Sequence, residues 1–176
     1  MKRMDRRILM IGVLGCLMLT GVATDAAQRG RARRPQQKGT VCGDPTVTCK
    51  TGEVPFEPHD LPFRLPARAV IWESEAFYAV ILKSIKASEQ DCQIFVPEDE
   101  RLAAQALFPR NKVFTDRGCG EPGETFYTGK LSSAHFMAVY AGRTRAEANA
   151  MLARVKATGK FAGANVRRMS IGFNGT

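Results

Sequence analysis

Residues 77–82 (Phe-Tyr-Ala-Val-Ile-Leu) form a continuous apolar run with no polar alternation. Such a run suits a strand buried on both faces. Residues 98–108 change period. Leu102, Ala103, Ala106 and Leu107 fall at helical spacing, with Pro97 near the first turn and Pro109 at the end. Residues 112–115 read as a second strand. The sequence then repeats the theme: an apolar strand over 136–141, a helix over 145–156 and a last strand over 165–169. The second helix is clearly bounded. Thr144 and Glu147 form a capping box, Ala148, Met151, Leu152 and Val155 make its apolar face, and Gly159 stands where a left-handed cap is wanted. Residues 124–131, containing Phe126-Tyr127-Thr128, read as an additional strand or hairpin arm.

The order strand, helix, strand, strand, helix, strand predicts an α+β fold. It is a ferredoxin-like β-α-β-β-α-β arrangement with a four-stranded antiparallel sheet and two helices on one face. The opposite face is either open or covered by the chain that precedes the domain. Two echoing units interlock because neither can bury its own sheet face alone, and that architecture favours binding over catalysis.

The N-terminal pattern changes the compartment. Lys2, Arg3, Arg6 and Arg7 precede an apolar run from Ile8 that ends among small residues near Ala23. Residues 1–23 therefore read as a secretory signal peptide, too short and too glycine-diluted for a membrane anchor. Cys16 lies inside the run, which continues through Leu17, Met18 and Leu19, unlike the polar chain expected after a lipidated cysteine. The expected location is the periplasm or cell envelope, or outside the cell. Residues 24–40 form a basic linker without apolar periodicity, and 41–69 a proline-rich extension pinned by disulfide. Residues 70–176 are the domain.

Export makes disulfides the natural use of Cys42, Cys49, Cys92 and Cys119. Four cysteines allow three pairings. Cys42 and Cys49 enclose a short loop of turn residues, which is easy to close. Cys92 would then pair with Cys119. No close Cys-x-x-Cys knuckle marks a zinc site, and neither a metal nor another cofactor is expected.

The formal charge of +9 is unevenly spread. Residues 41–109 hold six basic and eleven acidic residues, whereas 110–176 hold eleven basic and four acidic. A basic arm at 28–39 would ordinarily point to nucleic acid, but export redirects it to anionic envelope material or to a plain solvated linker.

The run Val139-Tyr140-Ala141-Gly142-Arg143-Thr144-Arg145-Ala146-Glu147-Ala148, continued by 152–159 and Gly163-Ala164-Asn165-Val166, resembles the second half of a SPOR (sporulation-related repeat) domain. The resemblance covers about residues 76–171. It implies a non-enzymatic module of bacterial envelopes that binds peptidoglycan glycan strands lacking stem peptides. Strand alternation puts Phe136, Ala138 and Tyr140 on one face, and Phe77, Ala79 and Ile81 share it by the internal echo. On this reading the ligand-binding residues are Phe77, Phe136, Tyr140, Arg143 and Arg167, with no catalytic residue. The alternative is a secreted protein-interaction or inhibitor domain of the same fold without glycan binding, with envelope proteins as partners. A third class, a small hydrolase, has as candidates Glu73 with Glu75 and the Glu98-Asp99-Glu100 cluster. Acids at a helix start are favoured by the helix dipole alone.

Overall fold

The computed structural model describes residues 38–49, 56–65, 71–87, 91, 93–117, 124–130 and 134–175. The signal-like segment with Cys16, the linker up to residue 37, and the expected Cys92–Cys119 pair lie outside the described residues.

Ten elements follow one another. They are β1 (Thr40–Val41), β2 (Phe63–Arg64), β3 (Ile71–Glu73), β4 (Phe77–Lys86), α1 (Glu98–Leu107), β5 (Val113–Thr115), β6 (Thr125–Thr128), β7 (Ala134–Gly142), α2 (Arg145–Ala157) and β8 (Asn165–Asn174). The fold is α+β with two helices and an antiparallel main sheet. β1 and β2 pair separately as a two-stranded sheet.

The main sheet has six strands where four were predicted. Its order is β3-β8-β4-β7-β5, with β6 also paired to β8. β8 causes the difference, because it outruns β4. Residues 165–169 pair with β4, and the chain then continues to pair with β3 and β6. Gly172 and Phe173 of β8 have partners on both β3 and β6, so these two short strands flank β8 on opposite sides. Gly172 permits this packing, since a Cβ there would fall 2.0 Å from the Phe126 ring.

The sheet is covered on both faces. One core holds Val80, Leu82, Met137 and Val139 of the sheet against Ala104 of α1 and Ala148, Met151 and Val155 of α2. The α2 part follows the predicted apolar face, and the Thr144–Glu147 capping box is present. The second core holds Phe77, Ala79, Ile81, Phe114, Phe136 and Ala138, roofed by Tyr127 of β6 and by Val41, Leu61 and Phe63 of the extension. Continuous apolar runs at 77–82 and 136–141 reflect this burial on both sides.

Backbone bonds fasten the extension. Lys112 N–H donates to the Gly43 carbonyl at 2.8 Å, Thr115 N–H to the His59 carbonyl at 3.0 Å, and Gly39 N–H to the Glu73 carbonyl at 3.1 Å. Side chains add to them. Leu61 N–H donates to the Tyr127 hydroxyl at 3.2 Å, and the Thr125 hydroxyl donates to Asp60 Oδ1 at 2.8 Å. Burial holds the Tyr127 phenol well above its ordinary value, so it stays a neutral partner for this junction.

α1 packs differently from its apolar pattern. Its buried residues are Arg101 and Ala104, with Phe108 buried just past its end, whereas Leu102, Ala103 and Ala106 are exposed. Arg101 is tolerated inside because its donors are used. Its Nη1 donates to the Val113 carbonyl at 3.1 Å, and its Nε and Nη2 meet Glu98.

Candidate functional site

The five predicted ligand residues fall into two places. Phe77 is fully buried and Phe136 is 3% exposed, so neither presents the flat open surface expected of it. Both belong to the core beneath the extension and β6. Tyr140 is half-buried at the same layer, its ring centroid 5.9 Å from that of Phe77. Gly43 of the extension lies directly on it: a Cβ at Gly43 would fall 2.2 Å from the Tyr140 ring. Burial raises the Tyr140 phenol above its ordinary value, opposed by the charge and hydrogen bond of Arg143. Arg143 is also paired with Glu75, at 2.7 Å.

Phe136 and Arg167 come together elsewhere. With Ile81, Ser84, Lys130, Ala134 and Asn165 they line a cleft of about 30 Å³, room for a single small group. Behind it stands a buried polar cluster. Lys130 Nζ is 2.7 Å from Asp116 Oδ2, and His135 Nδ1 is 3.5 Å from the same oxygen. His135 is 2% exposed, and among the described residues neither ring nitrogen has a hydrogen-bond partner, a feature that no sequence signal marked.

Among the described residues the most exposed large apolar side chain is that of Val47, at 61%, on the loop between Cys42 and Cys49. These cysteines lie at disulfide distance, with Cα atoms 5.9 Å apart. The loop is also braced from within. Asp44 Oδ1 accepts from Thr46 N–H at 2.8 Å and from the Thr46 hydroxyl at 2.6 Å, and Val47 N–H closes the turn onto the Asp44 carbonyl at 3.3 Å. The Thr46 side-chain bond, then its backbone bond, hold the Asp44 carboxyl below its ordinary value. Beside the loop is an open pocket of about 230 Å³, lined among others by Val41, Val47, Thr48 and Arg64. Proline at 45 and the cysteine spacing were the legible signals; the exposure of Val47 was not.

Glu73, Glu98 and Glu100 of the candidate carboxylates are engaged, as is Glu75 with Arg143. Glu73 accepts from the Ser170 hydroxyl, Glu98 pairs with Arg101 and with Arg117 at 3.0 Å, and Glu100 pairs with Lys83 at 2.6 Å. Hydrogen bonding from Arg101 is the leading reason the Glu98 carboxyl is lowered. Among the described residues no group of three or more His, Cys, Asp or Glu side chains is placed to hold a metal ion, and no helix is long and apolar enough to cross a membrane.

His59 links the extension to this network. Its Nε2 is 3.9 Å from Asp60 Oδ1, and its side chain is 20% exposed. Burial, foremost, holds the imidazole below its ordinary value, against the pull of Asp60. The unfolded chain therefore binds the proton more readily than the folded one. Stability from this group is present above about pH 6.5 and falls as pH drops from there toward the lowered folded value. Urea midpoints between pH 7.5 and 5 are expected to decline, and His59→Gln is expected to flatten the part of the decline just below pH 6.5. An unchanged slope would assign the decline to other groups.

No protein-family model, curated protein or solved structure matches the chain.

Proposed function

We propose that this chain is an exported, non-catalytic protein-interaction module that presents the Cys42–Cys49 loop to its partner. Export rests on the basic, apolar and small-residue succession of residues 1–23. The order β8-β4-β7-β5, with α1 and α2 contributing to one core, supports a ferredoxin-like, SPOR-related scaffold within the larger sheet. The observation that favours protein contact over glycan binding is the cover on the second sheet face. A glycan strand needs an exposed aromatic platform, and Phe77 and Phe136 are packed under the chain's own extension. The loop has what a partner surface needs. It is prepaid in conformational entropy by a covalent closure and an internal turn, and it offers an exposed apolar side chain at its tip.

Two measurements test this. The oxidised chain is expected to remain in the supernatant with purified peptidoglycan, whether or not stem peptides have been stripped. Retention that rises on stripping would return the glycan reading to first place. A photo-crosslinker at Val47 is expected to give a discrete protein adduct in the producing cells or their medium, and one at the exposed Lys156 is not. Absence of an adduct at Val47 would remove the loop as the contact.

A further inference from the structure

Residues 143–168 hold seven basic residues and one acid. The acid, Glu147, is consumed by its own helix cap. Its Oε2 accepts from the Arg143 N–H at 2.9 Å and from the N–H and hydroxyl of Thr144, both at 2.8 Å. Elsewhere Lys83, Arg101, Arg117 and Lys130 meet carboxylates, and Arg143 reaches Glu75. Arg145, Lys156 and Arg168 are exposed, and among the described residues their charged groups have no ion pair or hydrogen bond.

The packing of α2 brings these three cations to one side. Ala148, Met151 and Val155 face the sheet. Arg154 Nη1 donates to Asn111 Oδ1 at 3.2 Å, which turns that flank of the helix toward the α1–β5 connection. With about 3.6 residues per turn, Arg145, Asn149 and Lys156 fall on the opposite flank. The strand order places β8 on that side. Arg168 of β8 lies opposite Tyr78, which packs into the helix-face core, as does Val166 two residues earlier. Arg145 and Lys156 stand about 16 Å apart along the helix axis. The uncharged Asn149 lies between them, and Glu147 turns to the Arg154 flank.

The character of this strip selects the ligand. A protein partner needs an apolar anchor at the centre of its contact. The exposed large apolar side chains among the described residues are Val47, Ile94, Phe95 and Leu102, none of them on α2 or β8. Spaced, unpaired cations without such an anchor suit a linear polyanion, held by charge and by release of its counter-ions. Guanidinium groups at two of the three positions favour phosphate, which they meet with parallel N–H donors.

We propose that the α2–β8 flank marked by Arg145, Lys156 and Arg168 binds a linear phosphate-bearing polymer lying along the helix. This surface is separate from the Cys42–Cys49 loop, and its test does not depend on what the loop does.

The experiment titrates the oxidised full chain with long-chain inorganic polyphosphate. Arg29, Arg31, Arg33 and Arg34 are replaced by glutamine throughout, so that the basic arm does not contribute. The polymer is expected to bind at least tenfold more tightly than tripolyphosphate, which is too short to span the strip, and to weaken steeply with salt. Amide NMR shifts should concentrate at residues 145–156 and at Arg168. Arg145→Gln, Lys156→Gln and Arg168→Gln together are expected to cost at least tenfold in affinity at an unchanged melting temperature. Lys38→Gln, Lys86→Gln and Arg110→Gln remove the same charge from other exposed positions and are expected to cost less than threefold. Should the first triple variant melt early, its single replacements carry the test, each expected to cost about two- to threefold. Equal losses in the two triple variants would reduce the effect to net charge and overturn the proposal. So would tripolyphosphate binding as tightly, which marks a plain anion site, polyglutamate binding as tightly, which marks an acidic protein segment, shifts located elsewhere, or no binding.

Discussion

A fragment of residues 70–176 is expected not to fold. It carries every element of the predicted repeat and lacks the roof of the second core. Leu61 and Phe63 are fully buried and Val41 nearly so, all three in contact with that core. Each such side chain contributes about 1.5–3 kcal/mol by leaving water. Together they approach the whole net stability of a domain, about 5–15 kcal/mol. Removing them also strips water-shielding from Phe77, Phe114 and Phe136 and leaves the buried Tyr127 hydroxyl without the Leu61 amide. The fragment should show collapsed amide dispersion and no cooperative thermal transition, whereas the full chain shows both. In the full chain, Phe63→Asp should reproduce much of the loss, because it places a charge at a fully buried position. A fragment that melts cooperatively near the full chain's temperature would mean that the extension is an accessory to the domain and that the face carrying Phe77 and Phe136 can be uncovered.

Phe114→Ala is expected to be the most damaging single truncation in the sheet. Phe114 is fully buried, and its ring centroid lies 5.2 Å from Tyr127, 5.9 Å from Phe136 and 6.2 Å from Phe77. It joins β5, β6, β7 and β4 at one point. A large-to-small change of this kind costs about 3–5 kcal/mol, the cavity adding to the lost transfer energy. The edge and stacked contacts raise the figure toward its upper end. Chemical denaturation should show a lower midpoint with an unchanged slope. Leu102→Ala is the matching control. Leu102 is 54% exposed on α1, so the change is expected to stay within about 0.5 kcal/mol. The reverse ranking would mean that α1 buries its apolar stripe and that Arg101 does not occupy the interior.

Local rules were readable where one short stretch of chain contains the whole cause. α2 is such a case, since Thr144, Glu147, Ala148, Met151 and Val155 supply both cap and buried face within a few turns. β4 and β7 are another, because an unbroken apolar run marks a strand with two covered faces. α1 was legible as a helix but not in its rotation. Its buried residue Arg101 is admitted by the Val113 carbonyl on β5 and by its own Glu98, and no periodicity of apolar residues announces such a partner. The candidate site shows the same division. The Cys42–Cys49 closure and the Asp44–Thr46 turn are local, whereas the burial of Phe77 and Phe136 depends on chain some tens of residues away in sequence.

The sequence by itself determined the helices, the long strands, the face that each strand residue shares with its neighbours, and the local cysteine loop. These follow from capping, periodicity and chain entropy, which act over a few residues. Only the tertiary structure decided what covers the second sheet face. A strand buried on both sides reads the same whether its roof is a helix, a hairpin or the chain's own N-terminal extension. The roof here is built by Tyr127 from one side of the sequence and Leu61 and Phe63 from the other. That choice makes core of the face on which Phe77 and Phe136 lie.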